Sequence, residues 1–112
     1  MSKNSKVYFE DILSAIKRIG KYTEKIDYNI FKQNTLISDA VMRNLTIIGE
    51  AVKSLSAEIK RKYDEIDWKK IAGFRDVVIH RYSDVDLQTV WDIVKNKLSE
   101  LKRVVEKALD KK

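Results

Sequence analysis

Apolar residues recur every three or four positions along almost the whole of this 112-residue chain. That spacing lines one face of an α-helix, whereas a half-buried β-strand would show strict alternation over several residues. No alternating stretch of useful length occurs, and the chain contains no proline, which agrees with an almost wholly helical fold. The sequence therefore predicts an all-α protein whose helices each bury one apolar stripe.

Three long stripes have this helical spacing, and they run over residues 8–26, 36–55 and 87–108. Between the second and third, Ser56 can begin a short helix, and Asp67 is a candidate N-cap for a helix that continues to Ile79. The last stripe predicts one continuous helix about 36 Å long, similar to the first two. Short connections between the segments favour an antiparallel, up-down four-helix bundle with an additional short helix.

Length and composition predict a single domain over residues 1–112. The chain has no cysteine, which excludes disulfides, zinc-thiolate sites and a cysteine nucleophile. It has no signal-peptide-like apolar stretch near its start and no apolar run near the ~20 residues that span a bilayer, so we expect a cytoplasmic protein. A net charge of +6 permits a nucleic-acid substrate but does not identify one.

The segment 73–82 carries most of the chemistry, because it places Arg75, Asp76, His80 and Tyr82 around an apolar run. At about 100° per residue, Asp76 and His80 share a helix face, while Arg75 and His80 lie about 140° apart. Arg75 and His80 can therefore converge only in a groove that a second helix or a second subunit closes.

Each of these side chains also has a structural interpretation. His80 can cap a helix C-terminus, and Arg75 can pair with an acid on a neighbouring helix. Asp76 can be a solvated partner for a basic side chain, and Tyr82 can pack in the core with its hydroxyl at the rim. Spacing alone does not choose between these roles and a functional site.

A second polar group lies on the otherwise apolar stripe over residues 36–55. Arg43 and Glu50 are seven residues apart, about two turns, and so share a face, with Asn44 beside them. They can line a groove and contact RNA or a partner, or they can be polar groups that fix the alignment of the helices. Both interpretations stay open.

Several segments match one family in order along nearly the whole chain. They include residues 39–51, the run Ile66-Asp67-Trp68 followed by residues 71–76, and His80-Arg81-Tyr82. The chain resembles HepT-like toxins of the HEPN superfamily, whose Arg-x4-His-x-Tyr motif maps without gaps onto Arg75, His80 and Tyr82. Asp76 stands where many relatives have Asn.

The resemblance implies a homodimeric ribonuclease toxin. Neither an imidazole nor a guanidinium needs a metal ion for this chemistry, so we expect a metal-independent enzyme without a cofactor. The resemblance implies that Arg75 and His80 are catalytic. Asp76, four residues before His80 on the same helix face, can pair with the imidazole and orient it. The resemblance also implies a nucleotidyltransferase antitoxin of the MntA type, which attaches AMP to Tyr82 and silences the toxin. This chain shows no Gly-rich phosphate loop and no nucleotidyltransferase-type carboxylate cluster, so it would receive AMP and not transfer it.

The single histidine constrains how such an enzyme can work. Imidazole, with an ordinary pKa near ~6.5, suits proton transfer, and the planar guanidinium of Arg75 suits a phosphate. One chain cannot supply both an imidazole base and an imidazole acid. A two-fold dimer brings two copies of His80 and Arg75 to one groove, so an imidazole-driven ribonuclease is expected to use both chains.

Functions other than RNA cleavage also stay open. Basic residues concentrate in the last stripe, where they can attract phosphate backbones or simply form a solvated face interleaved with acids. A non-catalytic helical module that binds a nucleotidyltransferase is the main alternative function. A DNA-binding regulator has less support, because no segment is typical of a recognition helix.

Overall fold

A computed structural model describes residues 2–79 and 86–110 of the chain. Within these ranges every regular element is helical, which confirms the all-α prediction. The elements in chain order are α1 Lys3–Thr23, α2 Tyr28–Gln33, α3 Thr35–Ser54, α4 Ala57–Lys62, α5 Trp68–Ala72, α6 Phe74–Ile79, α7 Asp86–Asn96 and α8 Leu98–Asp110.

Side-chain caps explain where several helices begin. Asp67 accepts a hydrogen bond from the Lys70 amide at 3.1 Å, and Ser56 accepts one from the Ile59 amide at 3.1 Å. Each cap satisfies one of the amides that a helix N-terminus leaves without a partner inside the helix. Both predicted starts are confirmed. The other caps of this kind are Ser2 for α1, Asp27 for α2 and Asn34 for α3.

Helix α3 is the centre of the bundle, since it packs against α1, α2, α5 and α6, while α8 packs against α1. Arg18, late in α1, bonds to Asn44 in the middle of α3. Phe9, early in α1, packs edge to face on Tyr63, which lies beyond the end of α3, with ring centroids 6.3 Å apart. The two long helices therefore run antiparallel, as predicted.

The core is continuous through the bundle and draws on every long helix. Burial follows the predicted helical stripes because the residues on them face the neighbouring helices. The largest side chains with almost no exposed surface are Phe9, Phe31, Ile12, Ile19, Leu45, Ile48, Leu101, Val41, Val52, Val90, Val104 and Val105.

Two helices predicted as continuous are interrupted, so those predictions are wrong. At Gly73 the backbone amide lies 3.1 Å from both the Lys69 and the Lys70 carbonyl oxygens, and a new helix, α6, begins at Phe74. Glycine weakens a helix, which favours a break at this residue. At Lys97 the last stripe divides into α7 and α8, although the Lys97 amide still bonds to the Ile93 carbonyl at 3.0 Å.

Leu36 was expected at the start of the second buried stripe, but it is 82% exposed. It lies in the first turn of α3, directly after the separate helix α2, which the apolar spacing did not reveal. Phe31 of α2 is fully buried and packs on Trp91 of α7 with ring centroids 5.0 Å apart. At this end of the bundle, α2 contributes a buried side chain and the first turn of α3 leaves Leu36 exposed.

At Gly49, α3 lies close to the segment that carries the candidate site. A Cβ added there would lie 3.1 Å from the Ala72 carbonyl oxygen and 3.3 Å from the Arg75 amide nitrogen. Both atoms belong to backbone, which cannot turn aside as a flexible side chain can. Glycine therefore lets α3 contact the α5–α6 backbone directly, and this contact sets the position of Arg75.

Two helical glycines are expected to respond oppositely to substitution. Gly20 of α1 has no heavy atom within 4 Å of an added Cβ, so Gly20→Ala should raise the free energy of unfolding by about 0.5–1 kcal/mol through helix propensity. Gly49→Leu should lower it by at least about 1–3 kcal/mol, because the side chain has no room. Urea unfolding followed by circular dichroism measures both. Equal tolerance at the two positions would contradict the close contact at Gly49.

Candidate active site

The predicted site residue Arg75 lies on α6 and pairs with Glu50 of α3. Its Nε lies 3.0 Å from Glu50 Oε1, and the two side chains are 46% and 50% exposed. Arg75 thus makes the contact expected in the structural interpretation, in which it pairs with an acid on a neighbouring helix. Glu50 was predicted as a groove-lining residue, and the fold brings it directly to Arg75.

About half of the Arg75 side chain is exposed, so a ligand in solvent can reach it. Arginine has five N–H donors, and the Nε–H that faces Glu50 is one of them. The remaining donors lie on the terminal nitrogens, where a planar fork can bind two oxygens of a phosphate. A half-exposed ion pair contributes at most about 1 kcal/mol to stability. The more consequential effect of Glu50 is therefore to fix the direction in which Arg75 points.

Asp76 follows Arg75 in the first turn of α6 and is exposed. A carboxylate at this end of a helix is favoured by the helix dipole, which is a structural reason for an acid here. His80 and Tyr82, the other two residues of the predicted motif, lie outside the described residues. The predicted pairing of Asp76 with His80 stays a prediction.

The second polar group on α3 divides into two environments. Asn44 is only 3% exposed. Its side-chain oxygen accepts a hydrogen bond from Arg18 Nε at 2.8 Å, and its amide nitrogen donates to the Ala40 carbonyl at 2.9 Å. This geometry favours the interpretation in which Asn44 fixes the alignment of α1 and α3, because a buried amide needs such partners.

Arg43 and Glu50 are exposed on α3, about two turns apart, and share one face of the helix as the sequence indicated.

Sequence reasoning did not find Arg18 as the partner of Asn44. The two residues are 26 positions apart, and no local spacing signal connects them. Gly49 was the available hint for the Glu50–Arg75 pairing, since a glycine inside a helix often marks a close approach of another backbone.

Residues 2–79 and 86–110 contain no group of three or more His, Cys, Asp or Glu residues arranged to hold a metal ion. Within the same ranges, none of the helices combines the length and the apolarity that crossing a bilayer requires.

The comparisons with known proteins agree with the predicted resemblance. The family model described as ribonuclease HepT-like matches residues 12–108. A Methanocaldococcus jannaschii protein named "Putative RNase" is 41% identical over 107 residues, which cover 96% of this chain and 92% of that protein. The "Probable ribonuclease HepT" of Thermococcus cleftensis is 39% identical, with 96% of this chain and 97% of that protein covered. No solved structure matches.

One relative is much longer than this chain. A second Methanocaldococcus jannaschii protein, named "Gamma-glutamylcyclotransferase and putative RNase", is 38% identical over 98% of this chain, but the match spans only 50% of that protein. The family model covers most of the chain, and the other two relatives align over nearly their whole length. The chain therefore belongs to the HepT-like ribonuclease family.

Proposed function

We propose that this protein is the toxin of a toxin–antitoxin pair and cleaves RNA in the cytoplasm without a metal ion. The observation that carries this proposal is the half-exposed Arg75 side chain, whose Nε lies 3.0 Å from Glu50 Oε1. A guanidinium carries further N–H donors on its terminal nitrogens, and these suit a phosphate. Membership of the ribonuclease family supports RNA as the substrate. Arg75 and His80 are the proposed catalytic residues, and Asp76 is a supporting residue.

The proposed reaction begins at the ribose 2′-hydroxyl. A neutral His80 imidazole takes the 2′-OH proton while the 2′-oxygen attacks the adjacent phosphorus. The bond from phosphorus to the 5′-oxygen breaks, and a protonated imidazole donates a proton to that oxygen. The products are a 2′,3′-cyclic phosphate and a 5′-hydroxyl. Arg75 offsets the negative charge that develops on the phosphate oxygens between these proton transfers.

The reaction needs a base and an acid at the same moment, and the chain contains one histidine. A homodimer with the α6 segments of both chains at one groove supplies two imidazoles and two guanidiniums. Glu50 supports this arrangement because it holds Arg75 toward solvent, where RNA and a second chain can reach it. Arg43, exposed on the same face of α3, is proposed to flank the groove.

Loss of the phosphate-binding group should slow RNA cleavage far more than it destabilises the fold. Arg75→Ala is expected to lower kcat by about 10²–10³-fold, as for other groups that stabilise developing oxyanions. Glu50→Gln, which keeps an oxygen acceptor for Arg75, should lower kcat less than Glu50→Ala does. Cleavage of a labelled RNA with a chelator present measures these rates.

Arg61→Ala, which removes an exposed arginine from α4, is the matched control for lost charge and should cleave at the wild-type rate. His80→Ala should abolish cleavage while circular dichroism stays unchanged. A folded Arg75→Ala or His80→Ala protein that cleaves RNA at the wild-type rate would show the proposed site to be wrong. A wild-type protein that binds its partner but never cleaves RNA would instead support the non-catalytic interaction module.

We further propose that an MntA-type nucleotidyltransferase silences the toxin at Tyr82. The tyrosine hydroxyl loses its proton to solvent as its oxygen attacks the α-phosphorus of ATP and a new oxygen–phosphorus bond forms. Pyrophosphate leaves with the electrons of the broken phosphorus–oxygen bond. Tyr82 is two residues from His80. The attached AMP would add bulk and negative charge beside the imidazole, and both would exclude an RNA phosphate.

Replacing the acceptor should separate toxicity from its control. Tyr82→Phe is expected to remain toxic when the nucleotidyltransferase is expressed with it, because no hydroxyl is left to modify. Growth and RNA integrity after induction measure toxicity, and intact mass measures the added AMP. Tyr63→Phe, at a buried tyrosine, is the control and should still be modified and silenced. AMP on the Tyr82→Phe protein would contradict this assignment.

A further inference from the structure

A groove of about 650 Å³ runs between the C-terminal half of α1 and the junction of α7 with α8. Four lysines line it: Lys17 and Lys21 from α1, and Lys95 and Lys102 from α7 and α8. One acid, Glu24, also lines it, so four positive charges stand against one negative charge. The lysine-rich last stripe of the sequence thus contributes to a groove that also takes lysines from the first helix.

The positions of these lysines follow from the helical geometry. Lys17 and Lys21 are four residues apart and lie one above the other on α1. Across the groove, Lys95 extends over the Trp91 ring, with its Nζ 4.7 Å from the ring centroid. A cation–π contact of this kind restrains the flexible side chain. The groove thus has two lysines on each side.

Gly20 gives a separate reason to regard the groove as a binding site. It lines the groove near the C-terminal end of α1, where glycine is a weaker helix former than alanine. Unlike Gly49, it is not required by a neighbouring backbone, since no heavy atom lies within 4 Å of an added Cβ. The absence of a side chain at Gly20 leaves open the space between the lysines on the two sides of the groove.

We propose that this groove binds the phosphodiester backbone of single-stranded RNA outside the cleavage site. It shares no lining residue with the Arg75–Glu50 pair, so it is a second contact surface. The residues that line it include no aromatic side chain on which a base can stack. Binding is therefore electrostatic and independent of sequence. This inference rests on the proposed function for its ligand, but RNA binding can be measured without cleavage.

The groove favours a polymer over a free nucleotide because its charges are spread along two helices. A single triphosphate concentrates its charge at one end, whereas successive phosphates of a strand can meet successive lysines. Each lysine that neutralises a phosphate of single-stranded nucleic acid contributes about 0.7 to the slope of log affinity against log salt. The number of lysines that contact phosphate can thus be counted from salt dependence.

The experiment measures the affinity of the full-length wild-type protein for a fluorescent 2′-O-methyl RNA oligonucleotide across a salt series. This probe lacks the 2′-hydroxyl, so the result does not depend on whether the protein cleaves RNA. Lys17→Gln/Lys21→Gln should weaken binding and reduce the salt slope by about 1.4. Lys3→Gln/Lys6→Gln is the matched control, since it removes the same charge from exposed positions of the same helix, and it should change the slope by less than half as much.

A second pair of variants tests the open space without changing charge. Gly20→Gln should weaken RNA binding at least several-fold because its side chain fills the groove, whereas Gly20→Ala should bind as the wild type does. Equal affinities for all four variants and the wild type would overturn the proposal. Displacement of the RNA by ATP at equal phosphate concentration would also overturn it in favour of a nucleotide site. So would a change of oligomeric state in Lys17→Gln/Lys21→Gln, seen by light scattering, because it would make the groove a contact between copies.

Different results would contradict the groove proposal and the ribonuclease proposal. If the wild type binds the 2′-O-methyl probe with lysine-dependent salt slopes but never cleaves ordinary RNA, the groove stands and the ribonuclease proposal falls. If the wild type cleaves RNA while the groove variants bind the probe with unchanged slopes, the cleavage site stands and the groove falls.

Discussion

The direct contact of α3 with the α5–α6 backbone at Gly49 is the constraint on which the candidate site depends. An added Cβ would lie 3.1 Å from the Ala72 carbonyl oxygen, so only glycine allows the helices to come this close without displacing backbone. The next residue, Glu50, is then within 3.0 Å of Arg75. Gly49 thus sets the position of the Arg75 backbone, and Glu50 sets the direction of the Arg75 side chain.

Features that depend on local spacing could be predicted from the sequence. The helical stripes, the caps at Ser56 and Asp67 and the antiparallel bundle follow from periodicity and from the hydrogen bonds that helix ends need. The division of helices at Gly73 and Lys97 does not follow from the apolar spacing, which continues through both. A local signal is present at Gly73 alone, because glycine weakens a helix. Arg75 was predicted as a site residue, but its pairing with Glu50 depends on tertiary packing between residues 25 positions apart in the chain.

Which charged side chains lie near one another also depends on tertiary packing and not on local spacing. The sequence showed a basic last stripe with interleaved acids, which is typical of a solvated face. The fold selects Lys95 and Lys102 from that stripe and places them opposite Lys17 and Lys21 of α1. The Arg75–Glu50 pair and this groove share no residue. We propose that Arg75 binds one phosphate at the cleavage site and that the groove binds the phosphates of a strand.

The central claim is that two copies of His80, one from each chain, serve a single cleavage site. Wild-type and His80→Ala proteins can be mixed in varying ratios, allowed to exchange subunits and assayed for RNA cleavage. If both imidazoles are required, activity should follow the square of the wild-type fraction, so an equal mixture retains about one quarter of full activity. Activity that falls in direct proportion to the wild-type fraction, with about one half retained in the equal mixture, would contradict the account.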